Sequence, residues 1–114
     1  MNKRNAALIY KEEDIQKASL SLKAMSHPLR LKILCALGDG EARVKDIVEE
    51  VGTSQSNISQ HLRILREKGI LNSRKRANWV YYRVHDERTL RLIDMMRELF
   101  CDDQSGPAAT RDSA

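Results

Sequence analysis

Ser56, Ser59, Gln60 and Arg63 fall on one side of a single short stretch, VKDIVEEVGTSQSNISQHLRILREK, from Val44 to Lys68. Hydroxyl, amide and guanidinium groups in such a row supply the donors and acceptors that meet base edges and phosphates. Ile58, Leu62 and Leu65 fall on the opposite side at helical spacing. An apolar stripe that fastens a helix, with a polar row left free opposite it, is what a major-groove reading helix requires. An ordinary helical hairpin with a solvated face has the same pattern, so the flanking sequence must decide between them.

Stepping outward, the elements that hold this row are legible. Val44, Ile47, Val48 and Val51 recur at i, i+3, i+4 and i+7, one face of a preceding helix. Gly52 suits a left-handed terminator, and Thr53 or Ser54 can cap the next helix. Gly69 ends that second helix. Trp79 to Val84 then alternates as a strand, Val80, Tyr82 and Val84 one way and Trp79, Tyr81 and Arg83 the other. Leu71 to Lys75 can pair with it around Arg76-Ala77-Asn78, giving a short hairpin with a cationic tip. From Ser54 to Arg83 seven basic residues stand against one acid, a net +6, whereas the whole chain carries only +4. Positive charge gathered on one region fits a polyanion partner and argues against a merely solvated hairpin.

The rest of the 114 residues makes one domain with a modest core, at 32% charged and 41% apolar. Residues 1–11 read as a flexible N-terminus and residues 12–101 as the domain. A helix is predicted from about Glu12 to Met25, with Ile15, Ala18, Leu22 and Met25 in a narrow stripe for the core or for a partner. His27-Pro28 breaks it, and Leu29 to Leu37 forms a second helix, apolar nearly all round and therefore a central core element. On a last helix, about Glu87 to Cys101, Leu92, Ile93, Met95, Met96, Leu99 and Phe100 span roughly 160°, taking ~100° per residue. One core needs less, so this helix is expected to serve its own domain and a second subunit. Residues 102–114, small and polar, read as a disordered tail.

This order of elements, with SHPLRLKIL, SQSNISQHLRILREKGIL and RKRANWVYYRV, resembles the ArsR (ArsR/SmtB) family of winged helix-turn-helix repressors over about residues 14 to 101. The resemblance implies a mainly α fold of five helices with a two-stranded wing, and a homodimer joined through the first and last helices. It also implies a double-stranded, imperfectly palindromic operator that is released when an inducer arrives. By the resemblance, Ser54, Gln55, Ser56, Asn57, Ser59, Gln60, His61 and Arg63 sit where the family meets DNA. Arg74, Lys75 and Arg76 sit where its wing meets phosphates or the minor groove.

Neither metal site common in the family is expected. Where one type has thiolates at the start of the third helix, this chain reads EARVKDI, with Arg43 and Lys45, and cations do not ligate a metal. The last helix, RTLRLIDMMRELF, lacks the histidine of the second type. Two thiols remain, Cys35 and Cys101, 66 residues apart. Taken alone they read equally as packing groups. Their placement is similar to the thiol-switch branch of the family, the SqrR, BigR and HlyU type. That resemblance implies that the two cysteines of one subunit become linked by a disulfide or polysulfide on meeting a low-molecular-weight persulfide or oxidant. The alternative is a repressor induced by a thiophilic ion such as arsenite. No cofactor loop, Cys-x-x-Cys pair or acid/base constellation argues for an enzyme, and no cofactor is expected. With no apolar run near the ~20 residues of a membrane span and no visible secretory signal, a cytoplasmic protein that does not enter a membrane is expected.

Overall fold

The eight elements follow one another in the expected order, with one addition. The structure, a computed structural model, describes residues 8–101. The readings of residues 1–7 and 102–114 as loose segments lie outside that range. The helices are α1 (Glu12–Met25), α2 (Pro28–Leu37), α3 (Val44–Val51), α4 (Gln55–Glu67) and α5 (Glu87–Phe100). The strands are β1 (Glu41–Arg43), β2 (Leu71–Arg76) and β3 (Trp79–Val84).

Local chemistry accounts for the boundaries. Pro28 opens α2, where its missing N–H costs nothing, and the His27 Nδ1 accepts from the Leu29 amide at 3.1 Å. Gly52 ends α3 in the left-handed region at φ 87°, and Ser54 Oγ caps α4 by accepting from the Asn57 amide at 3.2 Å. Asp86 caps α5, accepting from the Arg88 amide at 2.9 Å.

β1 is the addition. Glu41–Arg43 pairs antiparallel with β3, so the sheet has the order β1-β3-β2 and three strands, of which β2 and β3 form the expected two-stranded wing. The wing turn is tighter than the three-residue tip read from the sequence. Arg76 pairs with Trp79 inside the ladder, and only Ala77 and Asn78 turn the chain, with Ala77 held at φ 56°.

The core gathers where α2, α3 and α4 meet the inner end of the sheet. Ile33 and Leu34 of α2, Ile58, Leu62 and Leu65 of α4, and Leu71 and Val84 of the wing are buried together. One expectation needs correction: α2 is not buried all round. Ile33, Leu34 and Leu37 face the core, but Leu31 and Cys35 are exposed on the other flank, because α5 crosses there without closing over them. Leu62 is completely enclosed, so Leu62→Ala is expected to cost about 2–5 kcal/mol from lost burial and the cavity left behind. Against a total of about 5–15 kcal/mol, a shift of that size is plainly visible in a urea unfolding midpoint.

Candidate DNA-reading face and thiol groove

On α4 the inward side is Ile58, Leu62 and Leu65, and the outward side carries Gln55, Ser56, Ser59, Gln60 and Arg63, all exposed. Ser54 and Asn57 are also exposed but engaged in starting the helix. Ser54 Oγ accepts from the Asn57 amide, and the Asn57 side-chain amide donates to Thr53 Oγ1 at 3.2 Å. The row that can reach a groove is therefore Gln55, Ser56, Ser59, Gln60 and Arg63, steadied by a capped first turn. His61 stands apart from it. The ring is half-buried, accepts a hydrogen bond from Arg30 Nε at 3.1 Å, and lies 4.5 Å from the His27 ring.

The wing carries cations in two different states. Arg74 is tied down: its guanidinium pairs with Glu41 on β1 and lies 5.5 Å from the Tyr81 ring centroid. That ion pair holds the Glu41 carboxyl below the usual carboxylate range. Lys75 and Arg76 are exposed towards the turn, and Arg76, opposite Trp79 in the ladder, shares its face. Of the three wing cations read from the sequence, Lys75 and Arg76 are presented outward while Arg74 helps hold β1 to the wing.

Arg43, at the position where thiolates would stand in a metal-binding relative, has a structural part. Its backbone amide and guanidinium both bond Asp46, closing the first turn of α3, and its guanidinium carbon lies 4.5 Å from the Trp79 ring centroid. A cation over an indole face is favourable by about 0.5–1 kcal/mol at an exposed site. The start of the helix pair is thereby fixed to the wing.

The two cysteines, far apart in sequence, line one groove between α2 and α5. Its volume is about 590 Å³, and Leu31, Cys35, Ile93, Met96, Phe100 and Cys101 contribute to its walls. The Cys35 thiol opens into this groove, yet its apolar neighbours withdraw enough water to push its pKa above the ordinary thiol value. Cys35 therefore holds its proton at neutral pH. Its thiolate fraction, and with it its rate of attack on sulfur, rises as the solution is made alkaline.

Beyond the groove α5 presents a second apolar strip. Leu90 and Ile93 pack against the core, whereas Leu92, Met95 and Leu99 are between 41% and 65% exposed. Ile15 and Leu22, on the α1 stripe read from the sequence, are 40% and 55% exposed. So much solvent-facing aliphatic surface on the two outer helices is what a partner normally covers.

Residues 27–73 match the family model described as bacterial regulatory protein, arsR family. The chain is 33% identical over 93 residues to a biofilm growth-associated repressor of Xylella fastidiosa, covering 78% of this chain and 82% of that protein. It is 39% identical over 90 residues to the transcriptional activator HlyU of Vibrio cholerae, covering 79% and 83% respectively. A solved structure of that HlyU superposes with a TM-score of 0.73 at 38% identity, over 81% of this chain and all of the other. A homodimeric winged helix-turn-helix DNA-binding domain from Mycobacterium bovis superposes with a TM-score of 0.70 at 25% identity, over 82% of this chain and 89% of the other.

Proposed function

Because the chain belongs to the arsR family of bacterial transcriptional regulators, we propose that it is a cytoplasmic, homodimeric repressor. It leaves its operator when a reactive sulfur species or oxidant links Cys35 to Cys101 within one subunit. The observation that carries this reading is the shared groove: two thiols 66 residues apart in sequence open into one apolar space between the core helix and the outermost helix.

The chemistry balances without a cofactor. One cysteine thiolate attacks the sulfane sulfur of a low-molecular-weight persulfide, forming a protein persulfide and releasing the small thiol. The second thiolate attacks the inner sulfur of that protein persulfide, closing a disulfide and expelling hydrogen sulfide. Overall two thiols lose two electrons and the sulfane sulfur gains them. If both cysteines are persulfidated first, loss of one hydrogen sulfide leaves a trisulfide. Either link ties α2, which is packed on the reading pair, to α5, which carries the dimer face. The spacing between the two reading helices then changes, and operator affinity shifts by the difference in contact between the two states.

The reading side acts through two classes of contact. Ser56, Ser59 and Gln60 reach base edges, whereas Arg63, Lys75 and Arg76 meet phosphates. Arg76→Ala is expected to weaken operator and random duplex alike and to flatten the slope of log K against log salt by about 0.9. Gln60→Ala is expected to reduce the preference for operator over random duplex while leaving that slope in place. Anisotropy titrations on both duplexes at several salt concentrations separate the two.

The test of the whole reading is fluorescence anisotropy on the chain's own upstream DNA, with the protein reduced and then treated with glutathione persulfide. Affinity that falls on treatment and returns with reductant is expected. Equal affinity in both states removes the sulfur switch and directs the search for an inducer to thiophilic ions, whose thiolate-to-metal absorbance bands would appear on arsenite titration.

A further inference from the structure

His61 is read from the sequence as a DNA contact, yet its ring is half-buried and held from the far side by Arg30 of α2. We propose that Arg30 is a positioning residue for DNA reading, fixing the His61 imidazole in the one orientation and tautomer that leaves a donor for a phosphate. The proposal rests on α4 being the reading helix and is independent of the cysteine switch.

The guanidinium of Arg30 spans two elements. Its Nη1 donates to the Ala24 carbonyl near the end of α1 at 2.8 Å, and its Nε donates to His61 Nδ1 at 3.1 Å. Arginine carries donors only and stays protonated. His61 Nδ1 must therefore present a lone pair, and the proton of the neutral ring sits on Nε2. The His27 ring, 4.5 Å away at 43°, packs against His61 and restricts its rotation. His27 is itself held, its Nδ1 accepting the Leu29 amide at 3.1 Å. A protonated His61 cannot accept from Arg30 and would face the positive charges of Arg30 and His27. Partial burial first, then those two groups, hold its pKa below the ordinary imidazole value. The neutral ring with Nε2–H is thus the form that the site selects, and Nε2–H is the single donor that His61 can offer DNA. The same clamp joins the end of α1 to the reading helix, so a movement of α1 is felt at His61.

The experiment combines nitrogen NMR of the His61 ring with operator anisotropy, on the full-length reduced protein, for wild type, Arg30→Ala, Arg30→Lys, His61→Gln, His61→Ala and the Arg30→Ala/His61→Ala pair. In the wild type a single Nε2–H tautomer is expected. In Arg30→Ala mixed tautomers and an upward shift of the His61 titration midpoint are expected, with operator affinity lowered about tenfold, the weight of one hydrogen bond to a charged group. Arg30→Lys keeps the charge but cannot span both acceptors, and serves if the alanine variant is poorly folded. His61→Gln, which accepts from Arg30 through its amide oxygen and donates through its amide nitrogen, is expected to retain most of the affinity. Arg30→Ala is expected to cost nothing further once His61 is alanine.

An unchanged tautomer and midpoint in both Arg30 variants would overturn the proposal. So would a changed tautomer with unchanged operator affinity, or an Arg30→Ala cost equally large with and without His61. A protein that binds no operator at all would sink the reading of α4 itself, and the NMR result would still report whether the clamp exists.

Discussion

Cys35→Ser and Cys101→Ser are each expected to bind the operator as tightly as the reduced wild type and to lose all response to persulfide. The reason is geometric and chemical together. Serine is nearly isosteric and leaves the groove between α2 and α5 intact, but a hydroxyl neither attacks sulfane sulfur nor resolves a persulfide at neutral pH. Intact mass should tell the variants from the wild type. Each can still carry one sulfur adduct on its remaining thiol, and neither can close the link. In the wild type the rate of closure should rise with pH, because burial has pushed the Cys35 thiol above its ordinary value and the thiolate is the reacting form. Anisotropy before and after persulfide, with intact-mass measurement of the same samples, reads all of this. A serine variant that still leaves DNA fully on treatment would refute the assignment of these two residues as the sensing pair.

The second large effect is expected at the outer face of α5. Met95→Asp combined with Leu99→Asp should convert the dimer to monomer and lower operator affinity by about 10²–10⁴, the usual gain from joining two binding modules. Met95 and Leu99 are 51% and 65% exposed, and neither contributes to the groove that holds the cysteines. A carboxylate at either position costs the single protomer little, since each side chain already faces water, whereas at a subunit interface it would be desolvated without a partner. Sedimentation velocity gives the mass, anisotropy gives the affinity, and the circular dichroism of the helices confirms that the protomer is folded. Wild-type mass in the double variant would rule out this strip as the dimer face. Monomers that keep wild-type affinity would rule out the need for two reading heads.

Much of the molecule is legible in local sequence because its signals are local. The α1 range is readable to the residue, and the stop at His27-Pro28, the glycine after Val51 and the Ser54 cap are each decided within four or five residues. The wing strands are readable for the same reason: β-formers alternate from Trp79 to Val84, and the inward set ends in the buried Val84. The turn reads one residue too wide because Ala77 at φ 56° is an uncommon conformation for a residue with a Cβ, and nothing in its type announces it.

What only the tertiary structure decided is what distant segments do to one another. Glu41–Arg43 has no strand signature; it becomes one because β3 offers a free edge, and Arg74 pairs with Glu41 across the sheet. Composition could count Arg74 among the DNA-facing cations, but not show that it is already paired. His61 follows Gln60 directly in sequence, yet a guanidinium 31 residues earlier turns its Nδ1 away from the reading row. Cys35 lies on a helix whose apolar residues surround the axis, and local pattern alone would bury it. α5 covers that flank incompletely, so the sulfur opens into a groove beside Cys101. Periodicity fixes which face of a helix is apolar because it depends on neighbours three and four residues away. Which apolar face stays open, and which charge finds a partner, depends on how separate elements pack, and that is set by the whole core at once.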